Sequence, residues 1–152
     1  MAAEMAGKAK GEDVIACLDM MVQDQAAAST ILGKAHAMTD ITGFGLAGHL
    51  RGICDASGVG AVLDLDAIPL MDGALELSGA GVRSTLFGDN RIGAGAINGR
   101  SIDLLFDPQT AGGLLAAVSA RAADAAVRKL QDAGYTAAVI GEITEGSQIT
   151  TH

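Results

Sequence analysis

Positive charge is scarce in this sequence: ten lysines and arginines stand against eighteen aspartates and glutamates, a formal net charge of −8. Nucleic-acid backbones are bound mainly by clustered basic side chains, so the composition argues against a direct nucleic-acid partner. It leaves room for one nucleotide, which backbone N–H groups and a divalent cation recruited by carboxylates can hold. Cysteine is equally sparse. Cys17 and Cys54 are too few for a disulfide framework, and no Cys/His spacing fits zinc. Both lie on the apolar sides of predicted helices and read as small buried hydrophobes. No run of residues reaches membrane-spanning length, and the opening "MAAEMAGKAKGED" lacks an apolar stretch long enough for a secretion signal. A reduced, cytoplasmic setting without membrane contact is therefore expected. With no Trp, one Tyr and three Phe, the core must be built from Ala, Leu, Ile and Val. Two prolines against twenty-one glycines favour tight turns and close backbone packing over a stiff linker. Internal repeats, heptads and low-complexity tracts are absent.

What is present is enough for one domain: 152 residues, 49 % of them apolar, can enclose a hydrophobic core. Residues 1–10 are weakly patterned and read as a flexible start or an expression remnant, with the domain running over 11–152. Val14, Leu18, Met21 and Val22 recur at helical spacing and predict a helix from Asp13 to about Ala28. His36 to Met38 fits a short strand. Leu46, Ala47, Leu50, Ile53 and Cys54 predict a second helix that stops near Gly58 and Gly60. "AVLDLD" alternates as a strand does, and "AIPLMDGALELSGAG" reads as a turn and a short helix. Gly81 to Gly99 has little periodicity and reads as an extended surface connection with room for one helical turn. Leu104–Phe106 and Leu114–Val118 suggest strands on either side of "DPQTAGG", with the start of a helix as the alternative for the second run. A helix over "ARAADAAVRKLQDAG", a strand over "YTAAVIGEI" and a polar surface tail, "TEGSQITTH", complete the chain. Helices separated by short strands imply a layered α/β domain with a mixed sheet packed by helices.

The richest stretch is "HAMTDITGFGLAGHL", His36 to Leu50. A carboxylate at a strand end, followed by a glycine turn into a helix, can hold a hard cation while the helix start favours phosphate. Magnesium commonly takes one or two protein carboxylates and fills its shell with water and substrate phosphates, which makes Asp40 a candidate metal ligand. Thr39 and Thr42 offer hydroxyls, and the N–H groups through Gly43 and Gly45 could face an anion. The competing account is that Asp40 or Thr42 simply caps the helix. The stretch is neither a Walker loop nor a dinucleotide fingerprint. His36 reads as a satisfied structural histidine, with an approach to a bound phosphate from the strand end as the alternative, and His49 points away from the apolar stripe of its helix; neither receives a catalytic role. "FDPQTAGG" is a structural turn or a ligand-facing loop. Arg83 and Arg91 either bind phosphate or solvate the glycine-rich surface. No serine has an evident base beside it and Cys17 sits in a structural helix, so no catalytic nucleophile is assigned.

Read together, "HAMTDITGFGLAGHL" and "LLFDPQTAGGLLAAV" resemble the carboxy-terminal domain of selenophosphate synthetase (selenide, water dikinase), within the aminoimidazole ribonucleotide synthetase superfamily. The resemblance runs from roughly Gly11 to Ile143. It implies an α/β carboxy-terminal domain beside an amino-terminal ATP-binding domain that these residues do not contain. It also implies a magnesium-requiring enzyme that turns selenide, ATP and water into selenophosphate, AMP and phosphate, and that assembles as a homodimer through its amino-terminal domains. Asp40 falls on the family's magnesium-binding aspartate. Asp107 is expected to shape the site rather than react. The reactive Cys or selenocysteine with its nearby Lys, and the other metal-binding aspartates, have no counterpart here, so the isolated domain is expected to be inactive. Arg83-Ser84 stands where the family usually has Arg-Asn, which puts anion contacts from that region in doubt. Two alternatives stay open: a domain of a related ATP-using enzyme, and a non-catalytic binding or assembly module.

Overall fold

The computed structural model describes residues 1–152. A helical turn, α1 (Ala2–Met5), precedes α2 (Gly11–Met21), α3 (Ala26–Ile31), β1 (Ala37–Asp40), α4 (Gly45–Ser57) and β2 (Gly60–Leu63). There follow α5 (Ala74–Gly79), α6 (Phe87–Gly93), β3 (Ile97–Gly99) and a 3-10 turn at Asp103–Phe106. The chain ends with β4 (Leu114–Ala117), α7 (Ala120–Asp132), β5 (Gly141–Thr144) and β6 (Ile149–Thr151). Four strands form one sheet in the order β3-β6-β2-β5, with β6 parallel to both β3 and β2, and β5 antiparallel to β2. β1 and β4 form a separate antiparallel pair in which Asp40 lies opposite Leu114. The layered α/β domain with a mixed sheet packed by helices forms as the sequence pattern implied.

Periodicity explains the parts that hold this architecture together. Ala47, Leu50 and Cys54 fall on one stripe of α4 and are buried against Leu63, Leu105, Phe106 and Ile149. α4 ends at Gly58, where the Gly58 and Val59 N–H groups donate back to Asp55 and Cys54 carbonyls. In β2 and just beyond, Ala61, Leu63 and Leu65 point into the same core. A second, smaller cluster joins Ala28 and Leu32 to Leu130 of α7. β4 serves both: Leu115 packs on the large core while Leu114 and Ala116 pack on the small one. Alternation along a strand divides these side chains between two faces.

Several local expectations are corrected. The first helix does not run through to Ala28. It stops at Met21, and α3 restarts after Asp24, whose carboxylate accepts the Ala26 N–H at 2.8 Å and so competes with helical bonding. Tyr135 Oη donates to the Asp24 carbonyl at 2.7 Å and pins that break to the end of α7. The predicted inward face of α2 is only partly covered: Val14 and Met21 are half-buried, while Leu18 is 45 % and Val22 83 % exposed. Gly81–Gly99 is not merely a surface connection, since it contains α6 and β3. Leu104–Phe106 lies in a 3-10 turn, which turns both Leu105 and Phe106 into the core where a strand would send neighbours to opposite faces. Of the strand predicted from Tyr135 to Ile143, only Gly141 onward pairs. The tail is no surface appendage either: β6 is an inner strand and Ile149 is 0 % exposed.

The cysteines also separate. Cys54 is fully buried, whereas Cys17 is half-buried with Sγ 3.8 Å from Met21 Sδ. Burial pushes the Cys54 thiol up; Arg51 opposes that rise and Asp55 adds to it. A raised pKa and a closed environment both suppress thiolate attack. Titration of the native chain with a disulfide reagent is therefore expected to consume one thiol promptly and the second only on unfolding. Equal rates for the two thiols would contradict this packing.

The accessible surface is 8845 Å², roughly a quarter more than the ~7,100 Å² usual for a folded monomer of 15.2 kDa. α2 buries no residue, and Ile15, Leu18 and Met20 on it are among the exposed large hydrophobics. No helix is long and apolar enough to cross a membrane.

Candidate metal and phosphate corner

β1 delivers Asp40 to its last position, after which the Ile41 N–H donates to the Gly113 carbonyl at 2.9 Å. The chain then bends through Thr42 and Gly43 into α4, whose N-cap is Phe44 with no side-chain capping bond. The capping account of Asp40 and Thr42 therefore does not describe this turn. The Thr42 hydroxyl instead lies 3.2 Å from His49 Nε2. The Asp40 carboxylate is exposed, and it accepts no hydrogen bond and enters no ion pair within the chain. Thr39 Oγ1 donates to the Asp40 backbone carbonyl at 3.1 Å, so it does not occupy the carboxylate. Of the two glycine N–H groups considered for anion binding, that of Gly45 turns inward to the Thr42 carbonyl at 3.1 Å. The Gly43 N–H has no acceptor within the chain.

The structure brings the two sequence motifs together. The Gln109 N–H donates to the Thr42 carbonyl at 3.0 Å, and Ile41 is bonded to Gly113, so the Asp107–Gly113 loop lies along the turn after Asp40. The approach is close enough that a Cβ on Gly112 would stand 2.3 Å from the Ile41 carbonyl oxygen. Gly45, at φ +69°, meets the same loop from the helix side, against the backbone of Leu105 to Asp107. Gln109 Nε2 donates to the Asp107 carbonyl and carboxylate, each at 3.2 Å. Burial raises the Asp107 pKa; the charged amino terminus, the Gln109 bond and Arg83 each oppose that rise. Asp107 is thus half-buried and already engaged, as befits a residue that shapes the loop.

Two contributors were not evident in the sequence. His49 lies off the apolar stripe of α4, as its spacing implied, and reaches back to the turn: its Nε2 accepts the Thr42 N–H at 3.0 Å, and its ring sits 5.6 Å from that of Phe44. Helical side chains lean toward the helix N-terminus, which carries the imidazole back over the turn. Accepting at Nε2 assigns the ring proton to Nδ1. Asn90, from the segment read as a surface connection, is buried beneath the corner. Its Nδ2 donates to the Gly43 carbonyl at 2.8 Å and the Phe106 carbonyl at 3.0 Å. The only sequence signal was an amide among glycines, which identifies no partner.

Other candidates are placed away from anion chemistry. Arg83 pairs with Asp103, donates to the Ser78 and Val82 carbonyls and lies over the Phe87 ring at 5.2 Å. Its guanidinium is occupied inside the fold. Arg91 is exposed and unpaired. His36 is exposed and its ring has no hydrogen-bond partner, which corrects its reading as a satisfied structural histidine. No group of three or more His, Cys, Asp or Glu converges on one point in the chain. The corner offers one free hard-oxygen donor beside a braced turn, an arrangement that can share a cation but cannot enclose it.

The chain has relatives among known proteins. Residues 1–152 match the family model described as AIR synthase related protein, C-terminal domain. The chain is 43 % identical over 116 residues to the selenide, water dikinase of Aeromonas salmonicida (strain A449), covering 74 % of this chain and 34 % of that one. It is 38 % identical over 153 residues to that of Pelobacter propionicus, covering 94 % of this chain and 43 % of the relative. The chain spans about a third of the length of the first of these relatives. Among solved structures, E. coli HypE, a hydrogenase maturation protein, superposes with a TM-score of 0.62 at 22 % identity, over 86 % of this chain and 37 % of that one. The protein tt0281 from Thermus thermophilus gives 0.54 at 20 % identity, over 82 % and 33 %. At such identities these structures speak for the fold alone.

Proposed function

Because the chain belongs to the AIR synthase related family, as its C-terminal domain, we propose that it is the carboxy-terminal third of a selenophosphate synthetase. In this reading an amino-terminal ATP-binding domain supplies the reactive group and most of the metal ligands. The complete enzyme turns selenide, ATP and water into selenophosphate, AMP and phosphate. It works in the cytoplasm as a homodimer joined through its amino-terminal domains. The names of the curated relatives support the substrate class. The single observation that carries the reading is the Asp40 carboxylate, free of intramolecular partners at the point where both motifs meet.

The donor set fits Mg2+ as a shared ion. A carboxylate is the hard ligand that magnesium selects, and one or two such groups suffice when phosphates and water fill the remaining positions. Asp40 would hold the ion from this side, with the Gly43 N–H available to a phosphate oxygen. Bound Mg2+ supplies charge neutralisation and alignment to the transferring phosphoryl groups. The chain's own contribution is to hold the carboxylate outward on a turn braced by His49 and by the Asp107 loop. The partly uncovered apolar face of α2 and the large total surface support a domain that packs against further protein.

The test is selenide-dependent conversion of ATP to AMP, with selenophosphate followed by phosphorus NMR. The complete polypeptide is expected to show it and the 152-residue chain to show none. A complete polypeptide that cleaves ATP only with another substrate would replace this reading with a related ATP-using enzyme. One that binds neither Mg2+ nor ATP would indicate an assembly module. Sustained activity of the isolated chain would overturn its reading as a dependent domain.

A further inference from the structure

We propose that Asn90 is a positioning residue that fixes the spacing between the Asp40 turn and the Asp107 loop, and so sets where the Asp40 carboxylate stands. The inference rests on the functional reading above and adds to it a residue outside both motifs. One amide nitrogen donates both of its hydrogens, one to Gly43 in the first motif and one to Phe106 at the edge of the second. The orientation of the amide is determined by chemistry: both partners are carbonyl oxygens, so the nitrogen and not the oxygen must face them. Two acceptors held by a single NH2 group are fixed in relative position, because its two N–H vectors diverge at a set angle.

The platform behind this strut is rigid for separate reasons. Asn90 is 7 % exposed on α6, and Ala94, just past the end of that helix, belongs to the main core. The Phe87 ring meets that of Phe106 edge-on at 6.0 Å. α6 is thereby seated against the same backbone that Asn90 bridges. On the other side of the turn His49 holds Thr42, so Thr42 and Gly43 are braced by two side chains from different helices. Loosening the Asn90 strut leaves Asp40 chemically intact and frees the turn that aims it.

The test is Asn90→Asp in the complete polypeptide. The shape is retained, but an ionised carboxylate presents lone pairs to both carbonyls, whereas a protonated one donates to one of them. At about pH 8 the half-saturating Mg2+ concentration is expected to rise and kcat to fall, each about tenfold or more. The gap from wild type should narrow toward about pH 6 as the new acid takes up a proton. Asp40, His49, Arg51, Asp55, Arg83, Asp89, Arg91, Asp103 and Asp107, the charged and titratable groups on the segments packed around position 90, are common to both proteins, so the difference profile isolates that position. Asn90→Ala should show the same loss without recovery at low pH. Amide hydrogen exchange gives a readout independent of turnover: Thr42–Gly45 and Asp107–Gly113 should exchange faster in Asn90→Asp, with β2 and β6 unchanged. If the folded variant keeps wild-type Mg2+ dependence and wild-type exchange, including a variant that merely melts earlier, Asn90 is not a positioning residue. If the wild-type polypeptide lacks selenide-dependent activity, the functional reading fails, and exchange alone decides the role of Asn90.

Discussion

Asp40→Asn in the complete polypeptide is expected to cut turnover by roughly 10²- to 10³-fold and to raise the Mg2+ requirement, while the melting temperature stays within about 1 °C. The two halves of that result follow from one feature. The carboxylate is exposed and contributes no bond to its own fold, so exchanging it for an amide of equal shape removes nothing from the native state. The same exchange removes the negative charge that a hard cation requires. A thousandfold loss corresponds to about 4 kcal/mol of transition-state stabilisation, a reasonable size for weakening one metal ligand. Steady-state kinetics across Mg2+ concentrations, beside thermal unfolding, make the check. Unaltered metal dependence would take Asp40 out of the mechanism.

Gly45→Ala is expected to destabilise the 152-residue chain by about 3–5 kcal/mol, a large part of the ~5–15 kcal/mol that holds a domain folded. Gly45 has φ +69°, which an alanine adopts only at a cost of ~1–2 kcal/mol. Most of the destabilisation is steric. A Cβ there would stand 2.9 Å from the Leu105 oxygen, 2.9 Å from the Phe106 carbonyl carbon and 3.0 Å from the Asp107 oxygen. All three are backbone atoms and cannot swing aside as a side-chain tip could. At ~2–4 °C per kcal/mol, the melting temperature should fall by about 6–20 °C. Gly43→Ala is the matched control: its Cβ would meet nothing within 4 Å, and little change is expected. Similar melting curves for the two variants would show that the motifs are not pressed together at Gly45.

The fold was legible where one residue type repeated at one period. Ala47, Leu50 and Cys54 identified α4, Leu63 and Leu65 the inner side of the β2 region, and "LLAAV" the strand shared by both clusters. It was illegible where an element is held by partners distant in sequence. β6 carries two threonines and one isoleucine, and becomes an inner strand only because β2 and β3 flank it. α6 has hardly any apolar stripe of its own; Asn90, Phe87 and Ala94 anchor it through contacts that no local pattern records. The break after α2 was in principle visible, since Asp24 is a residue that draws backbone N–H groups away from a helix. The continuous spacing of Leu18, Met21 and Val22 obscured it.

For the site, residue identity alone specifies which groups are available: a carboxylate at a strand end, a glycine turn, a second glycine-rich loop and the family to which these belong. Those are properties of residue identity and short spacing, fixed before any packing occurs. Which groups are free and which are occupied follows from how the folded segments meet. Tertiary packing turned Arg83 inward onto Asp103, folded His49 back onto Thr42, joined the two motifs through Ile41 and Gly113, and set Asn90 beneath them. Hydrogen bonds act over about 3 Å, and the distances between these segments are set by the whole core rather than by neighbours in the chain.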